Sequence, residues 1–515
     1  MRHYFFSFIC LTCSYFSFAQ ITEAQLDDLV EKTKATFNVP GIAVAIIKDG
    51  KVLLSKGYGV TNINSNQKVD GNTLFGIASN SKAFTSAALA ILVDEGKINW
   101  DDKVKKYLPE FKMYNKYVTD EFTIRDLLTH KSGLGLGAGD LMIWPDGHNF
   151  TPNDIVKNIQ HLKPISGFRT KYDYDNLLYV IAGEVVAKVS GKSWCEFVEE
   201  RIMKPIGMNN SASSWSRLKD TSNVIVPHVP TEGELQVIPR YKNSIFDAAA
   251  GLYSSTNDLS KWLILQMNKG KYNDLQVFSE KQHKEMWSSQ TILPERNSYP
   301  YKTNFRAYGL GWQLTDYNGF LQVSHTGGLD GIVTQSIMLP EIQLGIIVLT
   351  NQQSGAAFTT ISNTIKDSYM GLPAFDHLAF LSKDRKGKED DADKITTEVW
   401  QTVAANTTKV NPKKYIGSYK DNWFGDVTIS EKNGKIYFAS SRSPRLKGEV
   451  FLYKNQNFVV KWDVRSFNAD AHIFFKVDTN GKATGFTMKA ISPLTDFSYD
   501  FHDLNFTKVI QKSKN

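Results

Sequence analysis

At 515 residues, 42% of them hydrophobic and 22% charged, the chain has the composition of a globular protein with two or three domains and a sizeable core. Its formal charge of +7 is thinly spread, with no dense Lys/Arg block interleaved with aromatics, so nucleic acid is not expected as a partner.

Arg2 and His3 precede an apolar stretch over residues 4–11, and Ser17-Phe18-Ala19 ends in a small residue. This is the pattern of an export signal over residues 1–19, cleaved after Ala19, with the mature protein periplasmic or secreted. A retained N-terminal anchor is the alternative. No later run reaches the ~20 apolar residues of a membrane helix, so no span is expected after signal removal. Cys10 and Cys13 leave with the signal. Cys195 then stands alone in Trp194-Cys195-Glu196-Phe197-Val198, where it reads as a small hydrophobe in a helix.

Residues 21–375 mix strand and helix patterns. Residues 42–47 and 52–54, split by Lys48-Asp49-Gly50, predict a hairpin. Ser79-Asn80-Ser81-Lys82 follows the apolar run Leu74-Phe75-Gly76-Ile77-Ala78. A helix begun at Ser79 stacks Ser79 and Lys82 on one face and sets the hydroxyl beside the free N–H groups at the positive helix end. That suits an acyl-transfer nucleophile with its own base. Ser65/Lys68 and Ser216/Lys219 share the spacing, so the flanks must decide. Residues 83–93, apolar almost all round, predict a buried helix closed at Glu95-Gly96. Thr123-Ile124-Arg125-Asp126-Leu127-Leu128 reads as a capped, salt-bridged helix start, which makes Arg125, Asp126 and His130 structural. Asp173 and Asp175, around Tyr174, read as solvated loop carboxylates. Residues 319–325, 332–339 and 344–350 predict three successive strands. Strands at both ends with helices between them fit an α+β domain on an antiparallel sheet.

Residues 376–410 read as a charged linker; within them 382–394 holds no core residue and is either linker or solvated helix. Beyond Pro412, short strand patterns with turn signals at Asn433-Gly434, Lys447-Gly448, Asn480-Gly481 and Thr484-Gly485 predict an all-β barrel or sandwich over 411–510. No His-x-x-x-His occurs, and no Cys-x-x-Cys survives signal removal, so no metal or other cofactor is expected.

Three motifs stand in order: Ser79-x-x-Lys82, Tyr174-Asp175-Asn176 and His325-Thr326-Gly327. Their flanks include Leu74-Phe75-Gly76-Ile77-Ala78, Leu127-Leu128-Thr129-His130-Lys131-Ser132-Gly133-Leu134, Ala250-Gly251-Leu252-Tyr253-Ser254-Ser255 and Tyr308-Gly309-Leu310-Gly311-Trp312. With them the chain resembles the serine β-lactamase and penicillin-binding-protein superfamily, in the branch of class C β-lactamases, D,D-peptidases and related esterases. Tyr415-Ile416-Gly417-Ser418-Tyr419 and Phe497-Ser498-Tyr499-Asp500-Phe501-His502-Asp503-Leu504 are similar to a lipocalin-like barrel appended to some of these hydrolases, where it is extracatalytic.

The resemblance implies a β-lactamase-like α+β domain with an antiparallel sheet and a helical cluster, followed by the barrel. It also implies roles. Ser79 attacks a carbonyl and becomes acylated, while Lys82 and Tyr174 share the base and acid work. Lys82 would need burial to bring it down from its free value of about 10.4, and Tyr174 would need a neighbouring cation. Backbone N–H groups of Ser79 and Gly328 form the oxyanion hole, and Asn176 bonds the substrate's amide. Thr326 and Gly327 border a substrate carboxylate, with Gly327-Gly328 letting the strand come close. His325 stands where most β-lactamases carry lysine, and offers an N–H whose charge depends on pH near neutrality. That departure favours peptidase or esterase chemistry over efficient β-lactam hydrolysis. The implied substrate is a D-amino-acid-containing peptide, attacked in carboxypeptidase or aminopeptidase fashion. An esterase, a weak β-lactamase, a penicillin-binding sensor without turnover and an inactive scaffold are the alternatives. Assembly into a homo-oligomer through the C-terminal domain is a further expectation.

Overall fold

The computed structural model describes residues 20–295 and 298–510, and the export signal read over 1–19 lies outside the described residues. Helix α1 (Glu23–Phe37) starts at a reciprocal cap between Thr22 and Gln25. Strands β1 (Gly41–Lys48) and β2 (Lys51–Gly59) form the expected hairpin. Asp49 and Gly50 both take left-handed φ, 51° and 72°, as a two-residue turn with the right twist requires.

Six further strands, β3 (Thr291–Ile292), β4 (Arg306–Tyr308), β5 (Gln313–Tyr317), β6 (Phe320–Leu329), β7 (Ile332–Leu339) and β8 (Leu344–Thr350), complete an antiparallel sheet ordered β2-β1-β8-β7-β6-β5-β4-β3. β1 is buried on both faces, which explains its unbroken apolar run. Ile42, Val44 and Ile46 pack with Leu26 and Val30 of α1. Ala43, Ala45 and Ile47 turn to the opposite core, which contains α2 (Ser81–Asp94), α3 (Leu177–Ser190) and α4 (Thr256–Met267). In α2, 12 of 14 residues are buried, and Phe84 stacks on Trp262 of α4 at 3.9 Å between ring centroids. An all-apolar helix needs partners on every side, and this central position supplies them.

Helix α5 (Gly355–Met370) covers the α1 face of the sheet. Of the two readings of the charged stretch, linker or solvated helix, the structure has the helix: α6 (His377–Ala405), 29 residues with only His377, Ala392 and Val399 buried. Ion pairs one turn apart, Lys386–Asp390 at 2.8 Å and Lys388–Asp384 at 2.6 Å, lie along its solvated face. At about 0.3–0.5 kcal/mol each such pairs help a helix that lacks a core stripe.

The C-terminal domain is a closed eight-stranded antiparallel barrel: β9 (Gly417–Asp421), β10 (Gly425–Lys432), β11 (Lys435–Ser440), β12 (Lys447–Lys454), β13 (Asn457–Trp462), β14 (Ala471–Val477), β15 (Ala483–Ala490) and β16 (Asn505–Lys508). It closes through Tyr419 opposite Lys508. Asn433-Gly434 and Asn480-Gly481 are turns, but Lys447-Gly448 and Thr484-Gly485 lie within β12 and β15. There glycine serves close approach: a Cβ on Gly448 would sit 2.1 Å from the Lys461 carbonyl oxygen, and one on Gly485 2.3 Å from that of Phe506. No helix among the described residues is long and apolar enough to cross a membrane.

Candidate active site

Ser79 does not open α2. It lies on a single 3-10 turn, Ala78–Asn80, and the α-helix starts at Ser81. Ala78, at φ 50°, holds a left-handed conformation that costs a residue with a β-carbon about 1–3 kcal/mol unless its surroundings enforce it. The surroundings do. Asn80 Nδ2 donates to the Ile77 carbonyl (3.2 Å) and to Thr334 Oγ1 (2.9 Å), and the Thr334 hydroxyl donates to the same carbonyl (2.9 Å). The Ser81 hydroxyl donates to the Ala78 carbonyl (2.7 Å) and accepts the Leu252 N–H (3.1 Å). The two residues between Ser79 and Lys82 therefore clamp the turn, a role the motif spacing does not disclose. Strand β6 lies directly against it. A Cβ on Gly327 would fall 2.3 Å from the Ile77 oxygen and 2.9 Å from the Ala78 Cβ, whereas Gly328 faces open space in the cleft beside Ser79.

Lys82, the second residue of α2, is fully buried. Its Nζ contacts Ser79 Oγ at 3.0 Å, Asn176 Oδ1 at 2.7 Å and the Ala249 carbonyl at 3.1 Å. It lies 4.8 Å from the centre of the Tyr174 ring and 5.3 Å from that of Tyr179. Burial lowers its pKa to about 7, against the pull of Asp140 and Asp175, which favour the ammonium form. The Asn176 and Ala249 oxygens only accept, so they take two amine protons. In the neutral amine the remaining lone pair then faces the Ser79 hydroxyl.

Tyr174 and Asn176 precede α3. Burial holds the Tyr174 phenol well above its ordinary value, against a hydrogen bond with Ser79 that pulls it down. Nearby Lys82 does not turn it into a phenolate; at neutral pH it is a proton donor. Its ring packs on buried His130 at 4.3 Å. His130 Nδ1 accepts the Asp175 N–H at 3.1 Å, and burial keeps the imidazole neutral. Asp175 is no solvated carboxylate: it is fully buried at the start of α3, its pKa raised by burial to about 7. Asn176 uses Oδ1 for Lys82 and one Nδ2 proton for Asp140 Oδ2 (2.7 Å), which leaves its second N–H for a ligand.

His325 lines the cleft with Thr326, but its polar edge is engaged. Nδ1 lies 2.6 Å from the Thr326 carbonyl, which can only accept, so Nδ1 carries the proton and Nε2 accepts from the Tyr308 hydroxyl at 2.9 Å. Burial, then the charge of Lys82, lowers its pKa to about 3. The expectation of a charge change near neutrality and of a free N–H for a substrate carboxylate is corrected: the imidazole is neutral and both nitrogens are bonded within the protein. An NMR titration of the His325 ring should therefore show no midpoint between about pH 5.5 and 7.5, the window of an unperturbed imidazole; a midpoint there would contradict this environment.

The cleft at Ser79 measures about 280 Å³ and is walled by Trp144, Tyr172, Tyr174, Phe246 and Phe497. Asp496, Phe497 and Ser498 of the barrel domain line it too, so the barrel, extracatalytic in the relatives the resemblance points to, here borders the cleft. Phe497 meets the Tyr174 ring edge-on at 5.8 Å. Sequence reasoning also missed Asp140 and Tyr308. Asp140 has no motif around it, and Tyr308 was visible only as part of the Tyr308–Trp312 match. Arg125 and Asp126 are structural: Arg125 pairs with Asp101 and Glu285, while Asp126 completes the Thr123 cap and pairs with Arg169. Cys195 donates to Asp247 Oδ2 (3.4 Å), and burial pushes its thiol pKa up.

Residues 26–367 match the Beta-lactamase family and residues 402–508 a domain of unknown function, DUF3471. An unguisins hydrolase, ungD', from Aspergillus campestris is 27% identical over 336 residues, covering 63% of this chain and 60% of its own length. Protein flp from Staphylococcus aureus strain MW2 is 29% identical over 341 residues, covering 65% and 64%. The chain thus spans under two thirds of the length of these relatives. An octameric penicillin-binding protein homologue from Pyrococcus abyssi superposes over 95% of this chain and 100% of its own, with TM-score 0.62 and 22% identity. A penicillin-binding protein from Bacillus halodurans does so over 65% and 99%, with TM-score 0.54 and 21% identity.

Proposed function

Since the chain belongs to the Beta-lactamase family, we propose that it is an exported serine hydrolase that cleaves amides or esters through an acyl-Ser79 intermediate, with D-amino-acid-containing peptides as substrates. The observation that carries this reading is the position of Lys82 Nζ, 3.0 Å from Ser79 Oγ with its other two contacts on pure acceptors. Ser79 Oγ bonds to the carbonyl carbon as Lys82 takes its proton. The tetrahedral oxygen settles on the N–H groups of Ser79 and Gly328, the C–N or C–O bond breaks, and the Tyr174 hydroxyl protonates the leaving group. Lys82 reprotonates Tyr174. A water then attacks the acyl carbon, and Ser79 leaves with a proton.

The cleft favours the aminopeptidase form of the reading over the carboxypeptidase form. Among its lining residues no lysine or arginine awaits a substrate carboxylate, and His325 is neutral. One wall carries the Asp496 carboxyl, whose pKa burial raises against hydrogen bonds from Ser498, and aromatic rings line the others; an ammonium group there gains cation–π attraction and would favour the ionised carboxylate. The relative named an unguisins hydrolase is compatible with hydrolytic chemistry.

The test offers the mature chain a D-alanine p-nitroanilide, its N-acetyl derivative, a peptide ending in D-Ala-D-Ala, p-nitrophenyl acetate and benzylpenicillin, with intact-mass detection of adducts. Turnover of the free-amine anilide, lost on N-acetylation, is the expected result. A stable penicillin adduct without turnover of anything would mark a sensor, and neither adduct nor product would leave a scaffold. N-terminal sequencing of protein from the producing cell should begin at Gln20; an intact Met1 would overturn cleavage after Ala19, and its recovery from the cytoplasmic fraction would remove export from the reading.

A further inference from the structure

Phe497-Ser498-Tyr499-Asp500-Phe501 lies between β15 and β16, and its side chains point two ways. Tyr499 and Phe501 root the segment in the barrel, against Phe467 at 5.5 Å and Trp462 at 5.6 Å between centroids. Ser498 and Asp500 reach into the other domain. The buried Asp500 carboxylate accepts the N–H groups of Gly139 (2.6 Å) and Leu141 (3.1 Å), the residues on either side of Asp140. The Ser498 hydroxyl donates to Asp140 Oδ2 at 3.0 Å, and Asn176 Nδ2 donates to that same oxygen at 2.7 Å. Asn176 Oδ1 then receives Lys82 Nζ at 2.7 Å.

We propose that Asp140, held by Ser498 and Asp500 of the barrel, is the positioning residue for Lys82, and that the barrel is thereby a working part of the catalytic centre. The proposal rests on the reading of Lys82 as the base for Ser79. A carboxamide can turn over about its last bond, and turned the other way Asn176 would present N–H groups to the lysine amine. An acceptor at the Nδ2 end is what keeps the oxygen on Lys82, and Asp140 Oδ2 is that acceptor. Partners of this kind orient the groups that touch substrate, and losing one typically costs about 10–100-fold. Asp500 fixes the backbone that carries the carboxylate, and Ser498 fixes its aim.

Asp140 also acts by charge: burial raises its own carboxyl well above the ordinary value, against the hydrogen bonds of Asn176 and Ser498 and the charge of Lys82, and in its ionised form it favours the ammonium form of Lys82. The other titratable groups around Lys82 are Asp175, the neutral imidazoles of His130 and His325, and the phenols of Tyr174 and Tyr179. Around Asp140 stand Asp175, Asp500 and the phenols of Tyr174 and Tyr241.

The experiment measures the second-order rate at which a fluorophosphonate probe labels the full chain as a function of pH. In that step the Ser79 Oγ–P bond forms, fluoride leaves and Lys82 takes the serine proton, so the acid limb reports the Lys82 amine. Asp140→Asn, which keeps an acceptor for Asn176 but not the charge, should move the acid limb to lower pH, whereas Asp140→Ala, which removes both, should also slow labelling by about 10–100-fold. Ser498→Ala should move the limb the same way by less, and its combination with Asp140→Ala should be no slower than Asp140→Ala, since both act through one contact. A limb at the wild-type pH in both Asp140→Asn and Ser498→Ala, whatever their rates or melting temperatures, would reduce the contact to packing and overturn the proposal. If Asp140→Asn fails to fold, Ser498→Ala decides. Labelling that survives Ser79→Ala would instead overturn the underlying reading of the nucleophile.

Discussion

Ser79→Ala should lower turnover of the best substrate by about 10⁴-fold or more and remove the acyl adduct from the intact-mass spectrum. No other hydroxyl near Lys82 can replace it. Ser81, two residues on, is committed to the Ala78 carbonyl and the Leu252 N–H, and its side chain is fully buried. The alanine variant keeps the cleft, the oxyanion N–H groups and the clamped turn, so it should bind substrate and fold as the wild type does. A variant that retains adduct and turnover would move the nucleophile elsewhere and end the functional reading. Loss of activity with a collapsed melting transition would mean only that the turn at Ala78 had given way, and circular dichroism separates the two results.

The second large effect is expected at Lys82. Lys82→Ala and Lys82→Arg should each lower kcat/KM by about 10²–10⁴-fold, the usual worth of a positioned general base. The arginine variant is the discriminating one. A guanidinium keeps the positive charge but cannot surrender its proton near neutrality, so it can stabilise charge and cannot act as base. In the wild type, burial sets the Lys82 pKa at about 7. Below that pH the amine is increasingly protonated and the rate should fall tenfold per unit; above it the rate should level off. In both variants that limb should vanish. An arginine variant with wild-type kcat/KM would assign Lys82 an electrostatic role and give the proton to another group.

The cost of burying that amine is visible in its surroundings. Its three contacts are all polar, and two aromatic rings lie over it. Asn176, Ala249 and Asp140 come from three separate segments, and their convergence makes a lysine tolerable in the core and reactive there.

Local chemistry was legible wherever the cause was local. The β1–β2 hairpin follows from Asp49-Gly50, the buried α2 from its unbroken apolar run, and the Thr123–Asp126 cap from residue types three positions apart. The order of the Ser79, Tyr174 and His325 motifs, with their flanks, carried the family. Reading failed where one residue type serves two purposes. Gly448 and Gly485 read as turns, yet they are glycine because a neighbouring strand backbone leaves no space for a side chain. The charged stretch within 376–410 left linker and solvated helix both open, and turn-by-turn ion pairs along it accompany a continuous helix.

Taken alone, then, the sequence determined the family, the pairing of a β-lactamase-like domain with a barrel, and the strands and helices with strong periodicity. Tertiary structure decided their protonation and their company. Desolvation and neighbouring charge depend on what surrounds a group in three dimensions, so His325 became a neutral, fully bonded imidazole and Asp175 a buried carboxylate although both lie in legible motifs. The contact of Ser498 with Asp140 spans 358 positions of chain, a separation over which no local pattern carries information. It was only when the barrel packed against the β-lactamase-like domain that the Phe497–Phe501 segment met the groups around the buried Lys82.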